Sequence, residues 1–265
     1  MLEVRNLGAS YGDFEVLHAI DLTVGEGKVV ALLGHNGAGK SALLKAIFGL
    51  LPVTAGKVSY DGVDATGARP FEKSALGIRF VPQEGNVFPS LSVEDNLRLG
   101  ALKMSGAHAA VSGAHAAVSG TRAAKMSGAR AAVNARIAEI FETFPILRER
   151  RAAPARVLSG GERQMLAMSI ALMTAPKLLL LDEPSSGLAP IAVHRLFEMI
   201  ETIHQRSGAA VLLVEQNVNE ALRLAGEVYV LEEGRLVFHG ASSDKEQVVR
   251  HLWRLAGKDG SSNTN

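Results

Sequence analysis

An apolar run, Val29 to Leu33, passes directly into GHNGAGKS, Gly34 to Ser41, and this junction constrains the chain more than any other stretch. The run is strand-length and apolar without alternation, the pattern of a strand buried on both faces of a parallel sheet. The segment after it matches G-x-x-x-x-G-K-[ST], and Ala42 to Phe48 reads as the helix that such a loop must lead into. Glycines let the backbone wrap close to a phosphate, turning successive N–H groups and the helix N-terminus toward negative charge. Lys40 then reaches the β- and γ-phosphates, and the Ser41 hydroxyl ligates Mg²⁺. Gly34, His35, Asn36, Gly37, Ala38, Gly39 and Ala42 complete the expected cradle. The bland alternative is an ordinary glycine-rich strand-to-helix turn, but strand, loop and helix in this order favour a bound nucleotide.

Two more apolar runs, Leu178 to Leu181 and Ala209 to Val214, have the same unalternating character. Between them, Ile191 to Gln205 places Val193, Leu196, Phe197, Ile200 and Ile203 on one side of a helix, with Pro190 suited to its first turn. Strands alternating with amphipathic helices predict an α/β fold with a mostly parallel sheet. Leu2 to Asn6, Glu15 to Ile20, Lys57 to Tyr60, Val228 to Leu231 and Arg235 to His239 read as shorter strands, with Glu233-Gly234 turning the last pair. Ser92 to about Arg156 carries no strand-like run and reads as helices. The polar tail, Lys258 to Asn265, is expected to be disordered.

Composition narrows the functional classes. A net charge of +1 gives no electrostatic case for a nucleic-acid partner, and the arginines at 148, 150, 151 and 156 are interrupted by Glu149. The chain has no cysteine, which excludes thiolate metal sites and disulfides. No window holds the run of about 18 apolar residues that a spanning helix needs. MLEVRNL lacks the basic and apolar regions of a signal peptide, so a soluble cytoplasmic protein is expected, reaching a membrane only through a partner.

KLLLLDE, Lys177 to Glu183, ends an apolar strand in two adjacent carboxylates. Alone they could be a capping Asp and a solvated Glu. With a phosphate loop upstream, Asp182 reads as holding Mg²⁺ through its water shell, and Glu183 as orienting or deprotonating a water that attacks the γ-phosphate. Between the two motifs, LSGGE opens another helix. Ser159, Gly160 and Gly161 there form a second anion-binding helix end, with Glu162 closing the LSGGE run. Two such ends make sense if two copies face each other head to tail, each closing the other's site.

Gly34 to Ser41, Leu158 to Glu162 and Leu178 to Glu183, in this order, make the chain resemble the ATP-binding cassette (ABC) ATPases over nearly its whole length to about Ala241. The resemblance implies an ABC cassette over residues 1–240: a RecA-like parallel-sheet core, an antiparallel β subdomain and an inserted helical subdomain at about 90–156. A C-terminal extension would occupy 241–265. It also implies ATP and Mg²⁺ as ligands, in a dimer that sandwiches two ATPs between phosphate loops and opposing signatures. By the same resemblance Tyr11 stacks on adenine with Val16 nearby, while Gln83 contacts Mg²⁺ and water and senses the transporter domain. Ala189 stands where many relatives carry an aspartate. Gln216 stands where most place a histidine near the γ-phosphate, and an amide can donate a hydrogen bond there but cannot carry a proton charge.

PSSGLAP, LLVEQN and VPQEGNVFPSLSVEDNL resemble one branch of the family, the ATPase subunits of importers for branched-chain amino acids, with relatives serving urea and short amides. This implies as partners two membrane-spanning permease subunits, a second ABC ATPase subunit and, indirectly, a periplasmic substrate-binding protein, with no nucleic acid. The expected place is the cytoplasmic face of the bacterial inner membrane, held peripherally. The alternative classes are a soluble ABC ATPase working on ribosomes or DNA and a cassette that binds ATP but hydrolyses little. Intact Lys40, Asp182 and Glu183 speak against the second of these.

A heptad-spaced repeat, MSGAHAA–VSGAHAA–VSGTRAA with a looser fourth unit MSGARAA, fills residues 104–132. In a helix, seven residues advance the axis by about 10.5 Å, so His108 and His115 are too far apart to share one metal. Arginine replaces histidine at 122 and 130, and a glycine in each unit weakens a coiled-coil seam. The repeat therefore reads as a tandem expansion, either a marginal Ala-rich helix or a mobile loop. Deleting Val111 to Ala124, two whole units, is expected to leave ATP hydrolysis largely intact; a collapse in folding or coupling would show that the repeat is structural.

Overall fold

The computed structural model describes residues 1–101 and 122–259. The chain divides into two compact units, one drawn from Met1–Glu84 and from Pro176 onward, the other from Gly85–Ala175. The first unit opens with β1 (Leu2–Tyr11), β2 (Phe14–Val24), β3 (Val29–Leu33), α1 (Lys40–Phe48), β4 (Val53–Tyr60), β5 (Val63–Asp64), α2 (Pro70–Ala75) and β6 (Ile78–Val81). The second holds α3 (Val93–Gly100), α4 (Arg122–Thr143), α5 (Pro145–Glu149) and α6 (Gly160–Leu172). The chain then completes the first unit with β7 (Leu178–Asp182), α7 (Pro190–Ser207), β8 (Ala210–Glu215), α8 (Val218–Leu224), β9 (Glu227–Glu232), β10 (Arg235–Ala241) and α9 (Lys245–Asp259).

Every residue of β3, β7 and β8 is buried, which explains why their sequences do not alternate. They belong to a six-stranded sheet of order β10-β9-β3-β8-β7-β6, parallel except for β10, which pairs antiparallel with β9. Register decides where these strands stop. Leu33 lies opposite Glu215 and Asp182 opposite Val214, so β3, β7 and β8 end along one edge. Gly34, Glu183 and Gln216 leave the sheet there together, at the carboxyl ends where ligands bind in open parallel sheets.

The second sheet of this unit is antiparallel, in the order β2-β1-β4-β5. Its inward residues Leu2, Val4, Leu7, Leu17, Ile20 and Leu22 share one core with Leu43, Leu44 and Ile47 of α1 and with Leu32, Leu180 and Leu212 of the parallel sheet. On α7, Val193, Leu196, Phe197, Ile200 and Ile203 are all buried, as their helical spacing predicts. The first unit is thus α/β, with a parallel-sheet core and an antiparallel sheet.

In the second unit, Ser92 caps α3 by accepting from Asp95 N, and the buried Asn96 holds the preceding turn. Asn96 accepts from Phe88 N (2.8 Å) and donates to Phe88 O (3.1 Å) and Ser92 O (2.9 Å). Arg136 donates Nη2 to Leu172 O (2.8 Å), tying α4 to the end of α6.

Several elements differ from the sequence reading. β1 runs on to Tyr11 through register shifts that a strict alternation test does not follow. β6 escaped notice because Arg79 interrupts IRFV; as an edge-strand residue it turns its guanidinium back onto Ser74 O (2.6 Å) and Ile78 O (2.8 Å). Residues 102–121, with His108 and His115, lie outside the described residues; from Arg122 the repeat forms part of α4. Of the polar tail, Lys258 and Asp259 end α9 and the remainder lies outside the described residues.

One buried charge supports α1 from behind. Lys73 of α2 is fully buried, and its Nζ donates to Ile47 O (2.7 Å) and Ala46 O (3.4 Å) at the helix C-terminus. Burial pushes its ammonium down to about 8 from the ordinary 10.5. A depressed folded-state value means that stability is fully present above the unfolded value and is lost as pH falls through the folded one. Urea unfolding is therefore expected to show wild type gaining on Lys73→Met between pH 8 and pH 10, by at most about 1.4 kcal/mol per pH unit. A difference independent of pH would mean that the amine stays as basic in the fold as out of it.

Candidate nucleotide site

The loop after β3 depends on glycine where no side chain fits. A Cβ on Gly34 would lie 2.3 Å from Leu231 O. Gly39, the residue before α1, has φ +102°, a left-handed conformation that favours glycine. The loop closes around Lys40, which is 3% exposed. Its Nζ donates to Gly34 O and His35 O, both at 2.9 Å, and stands 3.1 Å from Glu183 Oε1. Burying an ammonium demands such partners, because an unpaired charge would cost several kcal/mol.

Ser41 Oγ donates to Asp182 Oδ1 at 2.7 Å. Asp182 is itself buried; burial holds its carboxyl above the usual carboxylate range, against the bond from Ser41. Glu183 adopts φ 43°, an uncommon left-handed conformation for a residue with a side chain, and Glu183 N donates to Val214 O at 2.9 Å. That turn directs its carboxylate to Lys40 on one side and Gln216 on the other. Gln216 Nε2 donates to Glu183 Oε2 at 2.5 Å. Gln83 is exposed and donates Nε2 to Ser186 Oγ at 3.0 Å, one turn beyond Glu183.

A cavity of about 670 Å³ opens over the loop. Tyr11, Val16, Gly37, Gly39, Lys40, Ser41, Ala42 and Glu183 all line it. Tyr11 is half exposed. Ala38 is buried against the loop, whereas His35 and Asn36 face outward, and His35 Nε2 lies 3.0 Å from Leu252 O of α9. Asp182, Gln83 and Gln216 belong to the surrounding hydrogen-bonded shell rather than to the cavity wall.

Phe14, Glu15, His18, Glu233, Gly234 and Arg235 also line the cavity, and sequence reasoning missed all of them as site residues. The turn between β9 and β10 clasps the site: Gly234 N donates to Ala38 O (2.9 Å), and His18 N donates to Gly234 O (2.8 Å). A Cβ on Gly234 would lie 2.3 Å from Val16 O, so only glycine permits this approach. Glu233-Gly234 was legible as a turn, but nothing local said what it touches.

Ser159, Gly160, Gly161 and Glu162 lie in the second unit, at the start of α6. Ser159 Oγ accepts from Glu162 N (3.3 Å) and Glu162 Oε2 accepts from Ser159 N (2.7 Å), a reciprocal capping box. The bond from Ser159 N keeps the Glu162 carboxyl below its usual range.

A family model described as ABC transporter matches residues 17–186. The chain is 39% identical over 239 residues to the high-affinity branched-chain amino acid transport ATP-binding protein BraG of Pseudomonas aeruginosa, covering 90% of this chain and 92% of that protein. It is 35% identical over 244 residues to the probable branched-chain amino acid transport ATP-binding protein LivF of Archaeoglobus fulgidus, covering 92% and 93%. Among solved structures, a nucleotide-free ATP-binding cassette from an ABC transporter aligns with a TM-score of 0.77 at 24% identity over 95% of each chain, which shows the shared fold. Likeness of this extent, in sequence and in fold, makes the chain a member of the ABC transporter family, on its ATP-binding side.

Proposed function

We propose that this chain is the ATP-hydrolysing subunit of a membrane importer for branched-chain amino acids. The observation that carries the hydrolytic reading is the placement of Glu183, whose carboxylate sits between Lys40 and Gln216 at the mouth of the phosphate loop. Lys40 offers its ammonium to the β- and γ-phosphates, and an arriving phosphate competes with Glu183 for it. Glu183 so released accepts a proton from the attacking water. The bond from the γ-phosphorus to its bridging oxygen breaks, leaving ADP and inorganic phosphate. Gln216, close to the same carboxylate, orients it without changing charge.

Ser41 and Asp182 fit Mg²⁺. They are paired oxygen donors, one of them a buried carboxylate that burial disfavours as an anion, and among the described residues no three His, Asp or Glu side chains form a cage that would suit another metal. When bound, Mg²⁺ neutralises charge developing on the transferred phosphoryl group. Gln83 is the third residue assigned to the ion, contacting it and water, and Asp182 holds it through its water shell. Tyr11 and Val16 take the adenine, and the loop from Gly34 to Ala42 the phosphates.

The partner reading rests on the capped helix end at Ser159–Glu162, which supplies N–H groups to a nucleotide held by a second ATPase subunit. Among the described residues no helix is long and apolar enough to cross a membrane. The partners in this reading are two permease subunits, to which the chain attaches peripherally. The place is the cytoplasmic face of the bacterial inner membrane, with a periplasmic binding protein delivering cargo on the far side. The names borne by BraG and LivF support the cargo.

Glu183→Gln is expected to lower kcat for ATP hydrolysis by about a hundredfold or more while ATP binding persists; equal rates would remove Glu183 from the base role. Affinity purification of the chain from native membranes is expected to recover two polytopic subunits and a cassette partner. Recovery of ribosomes or nucleic acid instead would overturn the transport reading.

A further inference from the structure

Glu215 is 1% exposed and takes no part in the chemistry derived above; burial holds its carboxyl above the usual range, against the bonds from Ser185, Asn217 and Gln216. Four donors converge on it. Its Oε1 accepts from Ser185 N (3.0 Å), and its Oε2 accepts from Ser185 Oγ (2.8 Å), Gln216 N (3.1 Å) and Asn217 N (3.3 Å). Those donors come from two separate segments, the turn after Glu183 and the turn between β8 and α8. The first is itself a hub, because Ser186 N donates to Glu183 O (3.0 Å) and Ser186 Oγ accepts from Gln83 (3.0 Å). The second delivers Gln216 Nε2 to Glu183 Oε2 (2.5 Å).

We propose that Glu215 is a positioning residue for ATP hydrolysis: its buried carboxylate latches the Ser185 turn to the Gln216–Asn217 turn and so holds Gln216 against Glu183. The chemistry of the pocket favours a carboxylate. All four contacts are donors aimed at its two oxygens, and a carboxylate is acceptor-only, whereas an amide would turn an N–H group toward other N–H groups. A buried carboxylate satisfied by four hydrogen bonds is tolerable; the same group without them is not. The latch also places Gln83 and Glu183 on one bonded path, Gln83 to Ser186, through the adjoining Ser185 to Glu215, and on to Gln216 and Glu183. A displacement of Gln83 therefore has a physical route to the base.

This inference rests on Glu183 as the base, and the test keeps the two apart. Glu215→Gln and Ser185→Ala would be made in the full chain, beside Glu183→Gln. Steady-state ATP hydrolysis, binding of a fluorescent ATP analogue and Tm would be measured for each. Glu215→Gln is expected to lower kcat about tenfold or more, with KM and analogue affinity within error of wild type, because the loop that binds phosphate is untouched while the base is misplaced. Ser185→Ala, which removes one of the four donors, is expected to lower kcat about two- to tenfold with binding again unchanged, and it decides the matter if Glu215→Gln does not fold. Combining the two should cost little beyond Glu215→Gln alone, since both act on one latch. Wild-type kcat in Glu215→Gln and Ser185→Ala beside an inactive Glu183→Gln overturns the latch alone. Parallel loss of kcat, analogue binding and Tm overturns it in favour of a merely structural role. An active Glu183→Gln overturns the base assignment, and the latch with it.

Discussion

The buried ammonium of Lys40 is the constraint around which the site is organised. A cation at 3% exposure must be surrounded by oxygen, and two of the three oxygens near it come from backbone carbonyls of its own loop. To aim Gly34 O and His35 O inward, the loop must curl back over the helix it starts, a path that its positive-φ glycines at 34, 37 and 39 permit. The third oxygen, from Glu183, belongs to the end of another strand. Pairing Lys40 therefore ties β3 to β7 across β8 and makes the register of the parallel sheet a functional quantity. A slip of one residue in β7 would carry Glu183 away from the lysine and bring a different side chain to the cavity.

Around that pair the molecule uses buried polar groups sparingly, and among the described residues Ser169 Oγ is the one buried side-chain polar atom without a hydrogen-bond partner. Asp182 is held by Ser41, Lys73 by the end of α1, and Asn96 by the turn it braces in the second unit. Each spends its hydrogen bonds on a loop or helix end rather than on another core side chain. The apolar interior, shared by both sheets of the first unit, supplies cohesion; these few polar groups fix the loops that carry chemistry. The uncommon backbone at Glu183 belongs to the same pattern, a local cost borne where a side chain must be aimed.

How much of this was legible in the sequence depended on the range of the interaction. The strand–loop–helix junction at Gly34–Ser41, the unalternating strands and the apolar face of α7 are local patterns, and the structure has these elements where they were read because their physics is local: a period, a glycine, a buried run. Tyr11 and Gln83 had no such signal, and only resemblance to a family gave them roles. Three kinds of residue stayed invisible. Glu215 follows the apolar run that ends at Val214, and nothing there points to the turn at Ser185, 30 residues away, whose groups it accepts from. Lys73 drew no reading, and nothing in its neighbours announces the end of α1. Phe14 and His18 of β2 and Arg235 of the β9–β10 hairpin line the cavity with the glycine loop, an assembly of segments that no local pattern announces. In each case the partner lies more than 20 residues away in the sequence.

That hairpin has a consequence for the order in which the molecule is made. The nucleotide loop is encoded early, yet its flanking strands, β8 and β9, both lie beyond residue 209, and the groups that confine it, Leu231 O and Gly234, come later still. Loop-closure entropy must be met before these distant contacts contribute anything. During synthesis the loop therefore emerges long before its walls, and it stays without its final geometry until nearly the whole first unit has left the ribosome. Acquisition of nucleotide binding would then mark completion of the fold, so that an unfinished chain holds no ATP and presents nothing for a partner subunit to close upon.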